Sequence, residues 1–238
     1  LRPRMLEDPE SISDAELQDL IDLYDDEIHY TDREIGRLLS QVEDQWEDWT
    51  AIITADHGEE FKDHGEFSHQ NRFYDEMMHV PFIVYDGESE GTHEEMVAHS
   101  DIAPTLARLG GVDSLPEAFW GHSLQPLLTD QPEDWPREGV RASWCDLPEC
   151  TRRLAYRTDQ WKYIRDYVFD REELYDLQND PNEQENLIDV EDTPPVIDSL
   201  RSVIDEYEED IASTDVETES VEMDEDVKEQ LRRLGYKE

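Results

Sequence analysis

A long amphipathic segment dominates the first part of the hydrophobic pattern. Apolar residues recur mainly at steps of three and four from Leu17 to Val42, and Ser13-Asp14-Ala15-Glu16 precedes them. This spacing places the apolar side chains on one face of a helix. A serine followed three residues later by glutamate has the form of a capping box. The pattern therefore predicts an amphipathic helix over residues 14–43.

Short apolar runs follow this helix and alternate with a second helical segment. Residues 50–55 and 80–85 have the length of strands, and a short helix begins at residue 100 and ends at Gly110-Gly111. A short apolar run bounded by polar residues is typical of a buried strand in a parallel sheet. Alternating strands and helices favour an α/β fold. We therefore expect a mostly parallel sheet flanked by helices, with residues 50–55 as a buried strand.

The pattern changes after about residue 138. Four strand candidates follow one another, and a helical spacing comes after them; they cover residues 140–144, 154–158, 161–165, 174–177 and 196–211. The turn at Asp159-Gln160 predicts a hairpin. We therefore expect a small α+β subdomain that contains an antiparallel sheet.

These patterns divide the chain into three regions. Residues 1–137 form the α/β portion, and residues 138–211 form the small subdomain. Residues 212–238 read as an acidic, solvated linker with a short terminal helix.

Acidic residues outnumber basic ones by a wide margin. The chain carries 64 Asp and Glu against 20 Lys and Arg, so its formal net charge is −44. Such a charge repels phosphate groups, which excludes nucleic acid and anionic membranes as default partners. No apolar run approaches the ~20 residues that a membrane-spanning helix needs.

Lysine is scarce among the basic residues. Four lysines stand beside sixteen arginines. At about 1 M salt the Debye length falls to about 3 Å, so the self-repulsion of an acidic surface is screened. The composition therefore indicates a halophilic, haloarchaeal source. It suits a potassium-rich cytoplasm, the location we expect, as well as an exported halophilic enzyme.

The sharpest chemical feature is Asp56-His57-Gly58, directly after the first predicted strand. Ligands gather at the carboxyl ends of strands in open α/β sheets. A carboxylate suits Ca²⁺, Mg²⁺ or Mn²⁺, whereas an imidazole shifts the preference toward transition metals. A loop with a helix cap would leave the same triplet, so the triplet alone is weak.

The next residues are rich in histidine and acids. Lys62, His64 and His69 fall in this loop, and Arg72 follows it. A solvated acidic loop with incidental histidines would look the same, so the composition alone assigns no role to any of them.

An ordered series of motifs resembles the sulfatase family of alkaline-phosphatase-like metallohydrolases. The matching segments are 24–28, 32, 35–39, 54–59, 63–65, 74–76, 79–84, 101–106, 121–124, 126–128, 173–177, 180–181, 183, 185–187 and 231–236. The resemblance implies an alkaline-phosphatase-like α/β fold and metal-assisted hydrolysis of a sulfate ester. The substrate would be a small sulfate ester or a sulfated glycan.

The resemblance also implies roles for particular residues. Asp56 would be a metal ligand, and His57 would hold the second ligand position, where many sulfatases carry Asn. The metal would be Ca²⁺, with Mg²⁺, Mn²⁺ or Zn²⁺ as alternatives. A basic side chain before Tyr74 usually touches the sulfate oxygens. His69 is the first candidate for it and Lys62 a second catalytic candidate, with His64 and Arg72 as further substrate-binding candidates.

One part of the family pattern has no counterpart in the chain. Sulfatases use a formylglycine matured from Cys or Ser in a Cys/Ser-x-Pro/Ala-x-Arg motif, and neither Cys145 nor Cys150 fits it. The family's first pair of aspartate ligands is also missing. The resemblance therefore implies a C-terminal portion whose partner is the N-terminal half of the same protein. We expect this chain to be inactive alone.

Three alternatives stay open at this point. The reaction is hydrolysis of a phosphodiester or phosphonate monoester if the nucleophile is an unmodified Thr or Ser. The chain is a non-catalytic module if it is half of a split or degenerate sulfatase that binds metal or a partner. It is an acidic cation-binding protein if binding is spread over its surface.

Overall fold

A computed structural model describes residues 2–68, 72–86, 90–115, 119–129, 131–146, 151–188, 190 and 193–213. The elements of the first part are α1 (Arg2–Glu7), α2 (Asp14–Glu43), β1 (Ala51–Thr54), β2 (Glu60–Phe61), β3 (Phe67–Ser68), α3 (Asp75–Met78), β4 (Phe82–Tyr85), α4 (Ile102–Leu109) and α5 (Gln125–Leu128). They are followed by β5 (Gly139–Asp146), β6 (Thr151–Thr158), β7 (Trp161–Asp166), β8 (Arg171–Asp176) and α6 (Ile197–Ser213).

Helix α2 has the bounds that the sequence predicts. The Ser13 hydroxyl accepts a hydrogen bond from the Glu16 amide at 3.4 Å, and the Glu16 carboxylate accepts one from the Ser13 amide at 3.0 Å. These two bonds complete the capping box. No residue of α2 is buried, and Leu23, Ile28 and Leu38 are each more than half exposed. The apolar face of this helix is therefore only partly covered in the described part of the chain: Ile28 and Leu38 are open to solvent, whereas residues such as Leu17 and Val42 are half-buried.

Strand β1 corrects one expectation. It pairs with β4 in an antiparallel register from Ala51 opposite Tyr85 to Thr54 opposite Phe82, and its residues are only partly buried. The strand pairs among the described residues are all antiparallel. A parallel partner needs a crossover connection, whereas the segment after β1 folds back through β2, β3 and α3. An apolar run predicts that a strand forms, but it does not predict whether the strand pairs in a parallel or an antiparallel way.

The antiparallel subdomain sheet is confirmed. Its strands lie in the order β5-β6-β7-β8, and β6 and β7 form the predicted hairpin. Side chains alternate between the two faces of the sheet. One face carries Ala155, Ile164 and Tyr175, which pack with Phe73 and Tyr74 from the segment before α3. The other face carries the buried Leu154, Tyr163 and Leu174.

The chain groups into two compact units, Leu1–Ile204 and Asp205–Glu238. The α/β class with a small antiparallel sheet is thus observed, while the boundary between residues 137 and 138 stays a prediction. Helix α6 runs to Ser213, and the predicted terminal helix lies outside the described residues. None of the helices in the described ranges combines the length and apolar character needed to cross a bilayer.

Candidate functional site

The carboxylate–imidazole doublet lies just beyond the carboxyl end of β1. The Asp56 side chain is 88% exposed and that of His57 is 41% exposed. Nε2 of His57 lies 3.8 Å from Oδ2 of Asp56. The structure therefore brings the two predicted ligands together on an accessible edge rather than in an apolar interior.

The orientation of His57 fixes which ring nitrogen can accept a metal ion. Its Nδ1 lies 2.7 Å from the carbonyl oxygen of Gly58. A carbonyl oxygen only accepts, so Nδ1 carries the proton and donates it. The lone pair then falls on Nε2, the nitrogen that lies toward Asp56. Metal–ligand bonds of about 2.0–2.6 Å could bridge this separation, so the donor pair fits a divalent ion.

Gly58 holds the doublet against α3. Its amide donates a hydrogen bond to the carbonyl oxygen of Met77 at 2.8 Å. A Cβ atom at this position would lie 1.8 Å from the carbonyl oxygen of Glu76. Only glycine permits this close approach, so the turn after the doublet is closed by backbone contact with α3.

A second histidine, His99, lies at the same end of β1. Nε2 of His99 lies 3.1 Å from the hydroxyl oxygen of Thr54, the last residue of the strand. His99, His79, His93, Phe82 and Arg141 are among the residues that line a cavity of about 660 Å³. His99 was not predicted as a site residue, because it lies 45 residues from Thr54 and no local spacing connects the two.

The basic candidates of the loop have different surroundings. Lys62 is half-buried and adopts a φ of 69°, and its carbonyl oxygen accepts a hydrogen bond from the Gly65 amide. Arg72 lies 3.5 Å from Glu66 and 4.0 Å from Glu60, and donates a hydrogen bond to the carbonyl oxygen of His64. His69, the first candidate for the sulfate-contacting cation, lies outside the described residues.

His64 is held by protein partners at both ring nitrogens. Nδ1 lies 2.6 Å from a Glu76 carboxylate oxygen, and Nε2 lies 3.0 Å from the carbonyl oxygen of Glu183. The ring also stacks on Tyr74, with centroids 3.6 Å apart. Burial lowers the pKa of His64, but Glu76 and the Glu183 carbonyl outweigh it, so the pKa is raised above its usual value. These contacts favour a structural role over the substrate contact expected for His64.

Glu60, His64 and Glu76 also form a cluster whose ligand atoms lie within 4.8 Å of one another. One carboxylate oxygen of Glu60 accepts hydrogen bonds from the amides of His64 and Glu66. Because the His64 nitrogens are engaged as well, a metal ion here would have to displace existing bonds. This cluster is therefore engaged in an internal network of hydrogen bonds, whereas Asp56 and His57 form the more accessible candidate donor set.

The helix after the loop is anchored to the subdomain sheet. Asp75, the first residue of α3, lies 2.5 Å from the ammonium group of Lys162 and also pairs with Arg157. The Lys162 ammonium lies 2.7 Å from Glu183, and both of these side chains are 1% exposed. The cations lower the pKa of Asp75 despite its burial, whereas burial raises the pKa of Glu183. Asp75 and Glu183 belong to motifs that resemble the family pattern, but their pairing with Lys162 was not predicted from the sequence.

The motifs at residues 101–106 and 121–124 also have structural partners. The Asp101 carboxylate is fully buried; it pairs with Arg137 and accepts hydrogen bonds from the amides of Ala98 and His122. Gly121 passes so close to Ser100 that a Cβ atom would lie 2.0 Å from its carbonyl oxygen. These motif residues therefore hold two loops together.

Two family models match the chain. The model described as "Sulfatase" covers residues 5–112, and the model described as "N-sulphoglucosamine sulphohydrolase, C-terminal" covers residues 62–210. Arylsulfatase K of Gallus gallus is 34% identical over 190 residues, which are 73% of this chain and 35% of the relative. The Delta 4,5-hexuronate-2-O-sulfatase of Bacteroides thetaiotaomicron is 30% identical over 164 residues, which are 66% of this chain and 34% of the relative.

Solved structures agree with these matches. A structure in complex with its substrate, D-glucosamine-2-N,6-O-disulfate, superposes with a TM-score of 0.64 at 25% identity, over 81% of this chain and 41% of that one. The chain thus spans about a third of the length of the curated relatives reported above.

Proposed function

Because the chain belongs to the sulfatase family, we propose that it is part of a sulfuric ester hydrolase in which Asp56 and His57 bind a divalent metal ion. The observation that carries the proposal is the accessible carboxylate–imidazole pair, with Oδ2 and Nε2 3.8 Å apart, on the closed turn after β1. Calcium is the proposed ion, since a carboxylate ligand suits a hard cation.

The two side chains have separate tasks in this proposal. An ion bound there would supply Lewis-acid polarisation of the ester oxygens. Asp56 contributes an exposed carboxylate, which is a hard oxygen ligand. His57 contributes Nε2 as the ligand atom. Its proton stays on Nδ1, because Nδ1 donates a hydrogen bond to the Gly58 carbonyl oxygen.

We propose a sulfated sugar or another small sulfate ester as the substrate. The names of two similar proteins support this class, since one is a hexuronate-2-O-sulfatase and the other holds a disulfated glucosamine. His69, with Lys62 as the second candidate, would supply the cation that stabilises charge developing on the ester group.

We also propose that residues 1–238 do not turn over substrate alone. The chain has no cysteine in a formylglycine motif. Further support comes from Ile28 and Leu38, the exposed residues on the apolar face of α2. We propose that the N-terminal part of a sulfatase α/β domain covers this face and provides the nucleophile. The cytoplasmic location and the halophilic source expected from the composition belong to this proposal as well.

Calorimetric titration with Ca²⁺ in about 1 M KCl tests the metal site. The salt screens diffuse binding to an acidic surface. We expect Asp56→Ala to abolish the tightest binding event, because the carboxylate is one of two side-chain ligands. The control is Asp25→Ala, which removes one charge from exposed α2 and should leave that event unchanged. Equal effects of the two variants would refute a specific site and favour diffuse cation binding.

An assay of the purified chain with aryl sulfate and aryl phosphonate in Ca²⁺ tests the reaction. We expect no turnover of either substrate. Sulfate turnover that Asp56→Ala removes would show that the chain is active alone and would overturn that part of the proposal. Phosphonate turnover that Asp56→Ala removes would replace the proposed sulfate chemistry with phosphonate hydrolysis.

A further inference from the structure

We propose that Lys162 and Glu183 are positioning residues for the Asp56–His57 metal site and that they act through α3. This inference rests on the proposed function, since it concerns the same metal site. It assigns the subdomain sheet a part in metal binding although none of its residues supplies a ligand.

The first step is the burial of the ammonium group between two carboxylates. Lys162 lies in β7, on the sheet face that packs toward α3, and its side chain is 1% exposed. Its Nζ lies 2.5 Å from Asp75 and 2.7 Å from Glu183. A buried charge is costly unless it is paired, so removing Lys162 leaves a buried carboxylate, that of Glu183, without its cation.

The second step is that the first residue of α3, Asp75, is bound through both its carboxylate and its backbone amide. The Asp75 carboxylate is held by Lys162 and by three hydrogen bonds of 3.0–3.2 Å from Arg157. The Asp75 amide donates a hydrogen bond of 2.6 Å to the second carboxylate oxygen of Glu183. Main chain and side chain of this residue are therefore both bound to the subdomain.

The third step links the other end of α3 to the metal turn. Gly58 donates its amide hydrogen bond to Met77 at 2.8 Å, and its α-carbon lies against the carbonyl group of Glu76. Helix α3 has four residues. A shift of its first residue is therefore transmitted to residues 76 and 77 and to the glycine that follows the doublet.

The consequence concerns ligand geometry. Both proposed ligands are exposed, and the backbone contact at Gly58 attaches the turn that carries them to α3. Groups that orient metal ligands from outside the coordination sphere typically change metal affinity by about 10–100-fold when they are removed. The Gly58 carbonyl oxygen, which accepts the Nδ1 proton of His57, is such a group. Lys162 and Glu183 act on Gly58 indirectly, through Asp75 and α3, so the effect expected of them lies at the lower end of this range.

The test compares Lys162→Met with Arg153→Met in the full 238-residue chain. Arg153 forms an ion pair of 2.6 Å with Asp166 between β6 and β7, so its loss perturbs the same sheet. Two quantities are measured in about 1 M KCl: the Ca²⁺ dissociation constant and the exchange rate of the Gly58 amide hydrogen. The Leu124 amide, which donates to the hydroxyl of the buried Thr105, serves as the reference for global opening.

We expect Lys162→Met to weaken Ca²⁺ binding by about tenfold and to speed exchange at Gly58 more than at Leu124. Arg153→Met should leave both quantities unchanged after correction for the Leu124 rate. Adding Glu183→Gln to Lys162→Met should recover part of the affinity, because it removes the unpaired buried charge and keeps an oxygen for the Asp75 amide. A loss of general stability alone would not be repaired in this way.

Unchanged Gly58 exchange in Lys162→Met would overturn the inference whatever the metal does. Unchanged Ca²⁺ affinity would overturn it as well, provided that Asp56→Ala abolishes the same binding event. Failure of Asp56→Ala to affect binding would instead refute the proposed metal site. The exchange rate of the Gly58 amide would then still test whether Lys162 positions Gly58 through α3. If Lys162→Met does not fold, Glu183→Gln alone replaces it, with the same direction expected and the same overturning result.

Discussion

At the scale of single residues, His57 and His64 differ in what engages their ring nitrogens. His57 donates Nδ1–H to its neighbouring carbonyl and directs Nε2 toward Asp56. His64 is bound at both nitrogens, by Glu76 and by a carbonyl oxygen 119 residues along the chain. The doublet was predictable because its parts are adjacent in sequence. The role of His64 was not, because its second partner is distant.

The raised pKa of His64 predicts a pH dependence of stability. A folded-state pKa above the unfolded value of about 6.5 means that the charged ring stabilises the fold fully below that pH. The contribution is lost as the pH rises through the folded-state pKa. We expect urea unfolding between pH 6 and pH 9 to show a larger loss of stability in the wild type than in His64→Gln.

The control for this measurement is His29→Gln on the exposed surface of α2. It should keep the wild-type pH dependence. A pH profile of His64→Gln that matches the wild type would contradict the ion-paired imidazolium.

The close approach of Gly58 to α3 predicts that no larger residue is tolerated at this position. Ala at residue 58 places a methyl group 1.8 Å from a backbone oxygen. Overpacking of this kind costs about 1–3 kcal/mol, so Gly58→Ala should lower the free energy of unfolding and weaken Ca²⁺ binding together. Gly36→Ala is the matched control, since nothing lies within 4 Å of its Cβ position in α2. It should stabilise by up to about 1 kcal/mol; equal effects at both sites would contradict the closed turn.

At the scale of elements, local signals predicted more than long-range ones. Helix α2 and the β6–β7 hairpin follow from a capping box and from a two-residue turn, which are properties of adjacent residues. The direction of β1 depends on how the segment between β1 and β4 folds back, and the apolar run holds no signal for that path. The attachment of α3 to Lys162 joins residues 87 positions apart, so it could not be predicted either.

The capping box makes a separate prediction for α2. Ser13→Ala removes the hydroxyl that accepts the Glu16 amide, and loss of such a cap costs about 1 kcal/mol. Thermal unfolding followed by circular dichroism measures the change. Ser40→Ala in the same helix removes only a hydroxyl bonded to the Gly36 carbonyl, and should be close to neutral. If Ser13→Ala is as neutral as Ser40→Ala, the cap does not stabilise α2.

At the scale of the whole molecule, net charge sets the conditions under which the fold is stable. A formal charge of −44 on 238 residues destabilises the compact state by self-repulsion. We expect the melting temperature to rise steeply between about 0.1 M and about 1 M KCl, over which the Debye length falls from about 10 Å to about 3 Å. Sucrose of equal osmolarity should raise it less. An equal rise in both solutes would show that screening is not the cause.

The central claim is that Asp56 and His57 bind one divalent ion in a chain that carries 64 acidic residues in all. The most direct measurement is line broadening of backbone amide NMR signals by substoichiometric Mn²⁺ in about 1 M KCl. The account predicts that the amides of Asp56, His57 and Gly58 broaden first, ahead of those along acidic α2. Uniform broadening over the acidic surfaces, or broadening that begins at Glu60 and His64, would contradict it.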